Sequence, residues 1–177
     1  EKIINAYGAD SVRLFILSDS PPEKDVQWSE EGIISSFKFL QKLWSLHLKI
    51  SVEIDKKHTT DLGENLLKFT HKFIKKITNN LNNFSYNVII ANLHEMYTFF
   101  SKEIEQEYTK ETLEENYKKI LISILPIIPH FSNECLGLLG AKESTKWPKY
   151  DESIIEEGFV NIVVQINGKK RGLVKTK

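Results

Sequence analysis

The sequence is poor in several features, and each scarcity narrows what the protein can be. Among its 177 residues there is a single cysteine, Cys135, so a disulfide framework is excluded and a reducing compartment is expected. No apolar run approaches the roughly 18 residues that a membrane-spanning helix needs, so no membrane partner is expected. The first residues do not resemble a signal peptide. We therefore expect a cytoplasmic location.

An excess of charge of one sign is also missing. The 24 basic and 24 acidic side chains cancel, so net charge does not indicate a nucleic-acid partner. Any cationic surface must come from local clustering of lysine and arginine. The hydrophobic content of 41%, with 11% aromatic residues, is sufficient for a packed core.

The residues that build active sites and metal sites are sparse. None of the histidines is paired at metal-ligand spacing, and a lone cysteine cannot complete a zinc site. The eight glycines are scattered and form no phosphate-binding loop. Cys135 lies in an apolar run and is interpreted as a core thiol, while His130 follows Pro129 at a helix break and suits capping or packing. The sequence therefore predicts no catalytic residue and no metal site.

Helical periodicity dominates the middle of the chain. It predicts long helices over about 29–50, 61–81, 85–104 and 109–125, and Pro126 and Pro129 must break the last of them. Short connections between long helices predict an all-α antiparallel bundle. The first of these helices is predicted to face the core through Ile33, Phe37, Leu40, Trp44 and His47.

Lysines follow two of these predicted helices. Lys38, Lys42 and Lys49 fall within roughly 40° of one another around the first helix. The next helix carries a second group, which comprises Lys68, Lys72, Lys75 and Lys76. Two interpretations stay open for both groups: an ordinary solvated face, or a cationic stripe that follows phosphates.

The two ends of the chain depart from the long-helix pattern. Gly8 ends a short helix, a second short helix follows to about Leu17, and Pro21 and Pro22 prevent its continuation. After residue 159, alternating apolar residues and an Asn-Gly turn predict a β-hairpin in a basic tail without acids. The chain begins with Glu1 and stops within the predicted return strand, so we expect a piece of a longer protein.

Several segments, taken in order, resemble one family. They are YGADSVRLFILSDSPPEKDVQWSEEG, FLQKLW, ILPIIPHFSNECLGLLG, KWPKYD and VVQINGKKRG. Together they resemble the C-terminal part of bacterial leucyl-tRNA synthetases, which are class I enzymes. The chain departs from that family's pattern because it lacks the nucleotide-binding fold with its signature motifs and the editing domain, and its C-terminal domain ends after one hairpin.

The resemblance implies a division of the chain. Residues 1–28 would connect to an absent catalytic domain, 29–140 would form the anticodon-binding-type bundle, 141–158 a linker, and 159–177 the start of a small C-terminal domain. Arg13 is expected to tie the connector to the catalytic domain, and Trp28 to pack rather than stack on a base. The expected tRNA-binding residues are Lys38, Lys42, Lys49, Lys68, Lys72, Lys75, Lys169, Lys170 and Arg171.

The resemblance also implies a function. The whole enzyme would join leucine to tRNA(Leu) with ATP and Mg²⁺ and would hydrolyse mischarged products at an editing site, whereas this portion would only position the tRNA. Its partners would be tRNA(Leu) and the catalytic and editing domains of the same polypeptide, in a monomer. Two alternatives remain: the isoleucine or valine member of the same group, and a free-standing helical protein-interaction module.

Overall fold

A computed structural model describes residues 1–19, 25–56, 63–106, 108–141, 146–155, 160–166 and 169–176. Its helices are α1 (Lys2–Tyr7), α2 (Ala9–Asp19), α3 (Glu30–Asp55), α4 (Glu64–Asn82), α5 (Tyr86–Glu103), α6 (Lys110–Ile124), α7 (Pro129–Leu138) and α8 (Glu152–Ile155). Its strands are β1 (Val160–Ile166) and β2 (Lys169–Thr176). Within the described ranges, no helix is both long and apolar enough to cross a membrane.

The core lies among α3, α4, α5 and α6, as the periodicity predicts. Among the described residues, α3 contacts α5 and α6, and α4 contacts the same two helices, whereas α3 and α4 do not contact each other. The helices α3 and α4 therefore occupy opposite corners of the bundle. Its largest fully buried side chains include Phe73, Phe100, Ile50 and Leu93.

Two neighbouring pairs of helices in this bundle are antiparallel. Asn80, near the end of α4, donates a hydrogen bond to Asn92, in the first half of α5. Asp55, at the end of α3, pairs with Lys110, at the start of α6. These two pairs agree with the predicted antiparallel arrangement.

The other two neighbouring pairs are parallel, so the predicted antiparallel arrangement holds for only two of the four neighbouring pairs. Gly63, before α4, lies against the ring of Tyr108, before α6. Phe39 stacks on His94 near the middle of α5, and the end of α3 shares a groove with Ile104, just beyond α5. The reason is topological: because α3 and α4 lie at opposite corners, each has both α5 and α6 as neighbours, and one of those two runs in its own direction.

The buried face of α3 is broader than the predicted stripe. Its buried residues are Ile33, Phe39, Leu43, Leu46, His47, Ile50 and Ile54. Phe37, Leu40 and Trp44 are only half-buried. The cause is that α3 contacts α1, α2, α5, α6 and α7, so its apolar residues face partners over more than one stripe.

The N-terminal helices pack against the bundle. Gly8, at φ 80°, ends α1 as predicted. A Cβ atom at Gly32 would lie 2.5 Å from the Phe15 ring, so the close approach of α2 and α3 requires glycine there. Trp28 meets Phe15 edge-on at 5.3 Å and stays 55% exposed. The predicted double-proline stop lies outside the described residues.

A segment after α7 runs along α4. The indole Nε1 of Trp147 donates to the Thr78 hydroxyl at 3.0 Å, and the backbone N–H of Asp151 donates to Nδ1 of His71 at 2.8 Å. Farther along, β1 and β2 pair antiparallel, in a register that skips Arg171. The Asn-Gly turn predicted between them lies outside the described residues.

His47 makes the stability of the bundle depend on pH. It is fully buried, and desolvation lowers the pKa of its imidazole below 6.5. The unfolded chain therefore binds a proton on this imidazole more readily than the folded protein does. The contribution of His47 to the free energy of unfolding is fully present above pH 6.5 and decreases as the pH falls below that value. Urea unfolding at pH 5.5 should show up to about 1.4 kcal/mol less stability from this residue than at pH 7.5. A His47→Gln variant should show a smaller pH dependence, and an unchanged one would contradict this assignment.

Candidate nucleic-acid interface

The lysines of α3 form an exposed cationic row. The Ser29 hydroxyl accepts the Gly32 N–H at 3.1 Å and caps the helix, which then continues without interruption to Asp55. Lys38, Lys42 and Lys49 are all exposed on it. In the described part of the chain, none of these three lysines has an ion-pair partner. The row is therefore available for an external anion.

A groove of about 660 Å³ lies beside this row, between α3 and α5. Lys42, Lys49 and Lys56 line the α3 side. The opposite side is formed by Tyr97, Ser101, Ile104 and Glu105. Lys56, just beyond the end of α3, is paired with Glu53 in the last turn of that helix. The cationic character of the groove therefore comes from Lys42 and Lys49.

The lysines of α4 have a different environment from those of α3. Lys68, Lys72 and Lys75 are half-buried, and each takes part in an interaction within the protein. Lys75 pairs with Glu152 at 2.7 Å, on the segment that runs along α4. Because other residues of the chain interact with these lysines, α4 does not present an exposed cationic stripe, which was one interpretation of its sequence pattern.

Two further contacts involve the same helix. Lys76 is exposed and pairs with Glu95 of α5 at 2.7 Å. The hydrogen bond from Lys76 lowers the pKa of the Glu95 carboxyl. Asp151, which faces α4 at His71, has its carboxyl pKa lowered by hydrogen bonds from Ser153. These contacts join α4 to its neighbours rather than to an external ligand.

The basic residues of the hairpin lie on β2. Lys169 is opposite Ile166 and Lys170 opposite Gln165, while the register skips Arg171. Their contact with tRNA stays a prediction.

A carboxylate that the sequence analysis overlooked fixes α2 to the start of α7. Asp10 accepts the backbone N–H of Phe131 at 2.7 Å through Oδ2, and its Oδ1 lies 2.9 Å from Nδ1 of His130. The carboxylate is only 4% exposed, so these partners replace its hydration. Asp10 therefore caps α7, which has no side-chain cap of its own. His130 contributes to the same contact.

Arg13 adds to this junction. Its Nε donates to the carbonyl of Ile127 at 2.9 Å and its Nη2 to the carbonyl of Pro126 at 2.6 Å. Both donors therefore bind the helix break between α6 and α7, and the expected contact of Arg13 with the catalytic domain stays a prediction. That break leaves carbonyl groups without helical partners, and a guanidinium can satisfy two of them at once.

Neither a nucleophile nor a metal centre is found among the described side chains. Burial raises the pKa of the Cys135 thiol to about 12, so the interpretation as a core thiol is confirmed. Within the same described ranges, no group of three or more His, Cys, Asp or Glu could hold a metal ion.

Fold and surface together define a helical module with an exposed cationic row, and comparison with known families specifies its class. The family model for the anticodon-binding domain of tRNA ligase matches residues 64–177. This chain belongs to that family.

The curated relatives and a solved structure agree with this assignment. The leucine–tRNA ligase of Orientia tsutsugamushi (strain Boryong) is 39% identical over 180 residues, which cover 98% of this chain and 21% of that protein. The leucine–tRNA ligase of Fusobacterium nucleatum is 35% identical over 187 residues, covering 97% and 22%. The chain thus spans about a fifth of the length of the curated relatives it matches.

The solved structure is the Agrobacterium radiobacter K84 agnB2 LeuRS in its ternary complex with tRNA and LeuAMS. It matches 98% of this chain and 24% of its own, with a TM-score of 0.81 and 19% sequence identity. This likeness shows the fold of the bundle together with its flanking segments.

Proposed function

We propose that this chain is the tRNA-binding portion of a leucine–tRNA ligase and that it positions tRNA(Leu) for aminoacylation. The observation that carries the proposal is the exposed row of Lys38, Lys42 and Lys49 on α3, which has no internal partner among the described residues. Lysines in such a row bind phosphates and fix the position of the RNA without reading its sequence.

The comparisons support the leucine member of the group. The matched relatives are leucine–tRNA ligases over nearly the whole of this chain, and the neighbouring fold was solved with tRNA bound. This favours leucine over the isoleucine and valine members. ATP and Mg²⁺ would serve the complete ligase, and no step that involves them is assigned to the residues described above.

The proposal includes a division of the chain into four parts. The proposed connector, 1–28, contains α1 and α2, and the proposed bundle, 29–140, contains α3 to α7. Residues 141–158 would be a linker, of which Trp147, Asp151 and Glu152 contact α4, and 159–177 would be the first hairpin of a small C-terminal domain. Because α2 is fixed to α7 through Asp10 and Arg13, the connector would transmit its orientation to the bundle. A monomer is the proposed state.

Filter binding of the 177-residue chain to leucine tRNA separates this proposal from the protein-interaction alternative. We expect binding that weakens steeply as salt rises, because each lysine–phosphate contact releases counterions. Sedimentation of the chain alone should show a monomer. Self-association without binding to tRNA would favour the interaction module and contradict the proposal.

A further inference from the structure

We infer that the groove between α3 and α5 receives an unpaired nucleotide of the bound tRNA, with its base on the apolar floor and its flanking phosphates on Lys42 and Lys49. This inference rests on the proposed function and deepens it. A phosphate-binding row alone needs only an exposed cationic face. The α3–α5 groove combines such a face with apolar and aromatic surface, which is the combination that binds single-stranded RNA.

One contact between α3 and α5 indicates which of their residues lie opposite each other across the groove. Phe39 stacks on His94 at 3.8 Å, and α3 and α5 run in the same direction from there. About one turn farther along both helices, Lys42 and Tyr97 lie level with each other across the groove. The aromatic ring and the first lysine are thus neighbours.

The cationic side is spaced for more than one phosphate. Lys42 and Lys49 are seven residues apart on α3, which is two helical turns or about 10 Å. Both are exposed and line the same groove. The far end is different, because Lys56 is paired with Glu53 and Glu105 adds a negative charge. Phosphates are therefore directed to the Lys42–Lys49 end.

The floor of the groove carries apolar surface that the bundle does not cover. Val52 is 57% exposed and Leu48 is 49% exposed. Both line the groove, with Ile104 on the other side. The Tyr97 ring is half-buried: it is edge-on to Phe39 at 6.2 Å, which fixes its orientation. A flat base inserted here would cover this surface while its phosphates stay on the lysines.

The test compares variants that change the floor without changing the charge. Val52→Ser should weaken binding of leucine tRNA by about threefold, because apolar contact is lost. Tyr97→Ala should weaken it roughly fivefold or more, because the stacking ring is removed, whereas Tyr97→Phe should bind like the unchanged protein. The slope of log affinity against log salt should remain unchanged in all three variants, because no phosphate contact is removed.

Matched controls lie outside the groove. Val88 is 43% exposed on α5, and Tyr86 is half-buried at the start of the same helix. Val88→Ser and Tyr86→Ala should leave the affinity unchanged. Circular dichroism verifies the fold of Tyr97→Ala, since Tyr97 packs on the core, and the exposed Val52 gives an independent result if that variant is unstable.

A second readout is independent of stability. The unchanged chain should protect one unpaired tRNA base from base-directed chemical modification, and Val52→Ser should reduce that protection. Salt-dependent binding with no protected base, and with no effect of Val52→Ser or Tyr97→Ala, would overturn this inference and leave the proposed function intact. Absence of salt-dependent binding by the unchanged chain would overturn both.

Discussion

Lys38→Glu combined with Lys42→Glu should weaken the binding of leucine tRNA by about 10-fold or more at moderate salt. Two attractive contacts with phosphates are lost and two repulsive ones replace them. In the complete ligase, the same pair of changes should raise the KM for tRNA and leave ATP–pyrophosphate exchange intact. Both lysines are exposed, so the fold should tolerate the change. Filter binding and steady-state aminoacylation measure the two effects.

The matched control for this variant is Lys2→Glu combined with Lys149→Glu. Both of these lysines are exposed, and the double change alters the net charge by the same amount. It should reduce binding much less, because neither residue lies on α3. Equal losses in the two double variants would mean that overall charge, rather than the row on α3, governs binding.

Asp10→Ala should lower the free energy of unfolding by about 2 kcal/mol. The change removes the acceptor for the Phe131 N–H and the partner of His130, and leaves the start of α7 without a cap. Asp10→Asn should cost less, since an amide oxygen can still accept the N–H. Urea unfolding followed by circular dichroism gives the values.

Asp55→Ala is the matched control for this stability measurement. The Asp55 side chain is 81% exposed and pairs with Lys110 at 3.8 Å. An exposed pair of this kind contributes little, so the change should stay within about 0.5 kcal/mol. If Asp10→Ala were equally mild, the junction between α2 and α7 would not depend on the Asp10 carboxylate.

Much of the helical architecture could be predicted from periodicity and breakers. Pro126 and Pro129 predict a break in the last long helix, and in the structure α6 ends at Ile124 and α7 begins at Pro129. Periodicity did not predict the full set of buried residues on α3, because a helix that packs against several partners buries residues on more than one side. The parallel pairs could not be predicted either, because the local pattern of a helix does not reveal which other helices become its neighbours.

In the candidate site, the exposure of the lysines could be predicted from the sequence for α3 but not for α4. Exposure of the α3 lysines follows from their position opposite core residues. On α4, the lysine-bearing face is contacted by a segment that comes some 75 residues later in the chain. The local spacing of residues cannot reveal that contact. The bond between Asp10 and Phe131 likewise joins residues that are far apart in sequence, so a single sequence gives no signal for it.

The salt dependence of tRNA binding tests the central claim most directly. The affinity of the chain for leucine tRNA would be measured between about 50 and 200 mM salt, beside that of a variant with Lys38, Lys42 and Lys49 all changed to glutamine. The account predicts a steep negative slope for the unchanged chain and a slope shallower by about 2 for the variant, since each phosphate contact contributes roughly 0.7 to 0.9. Identical slopes for the two proteins would contradict it.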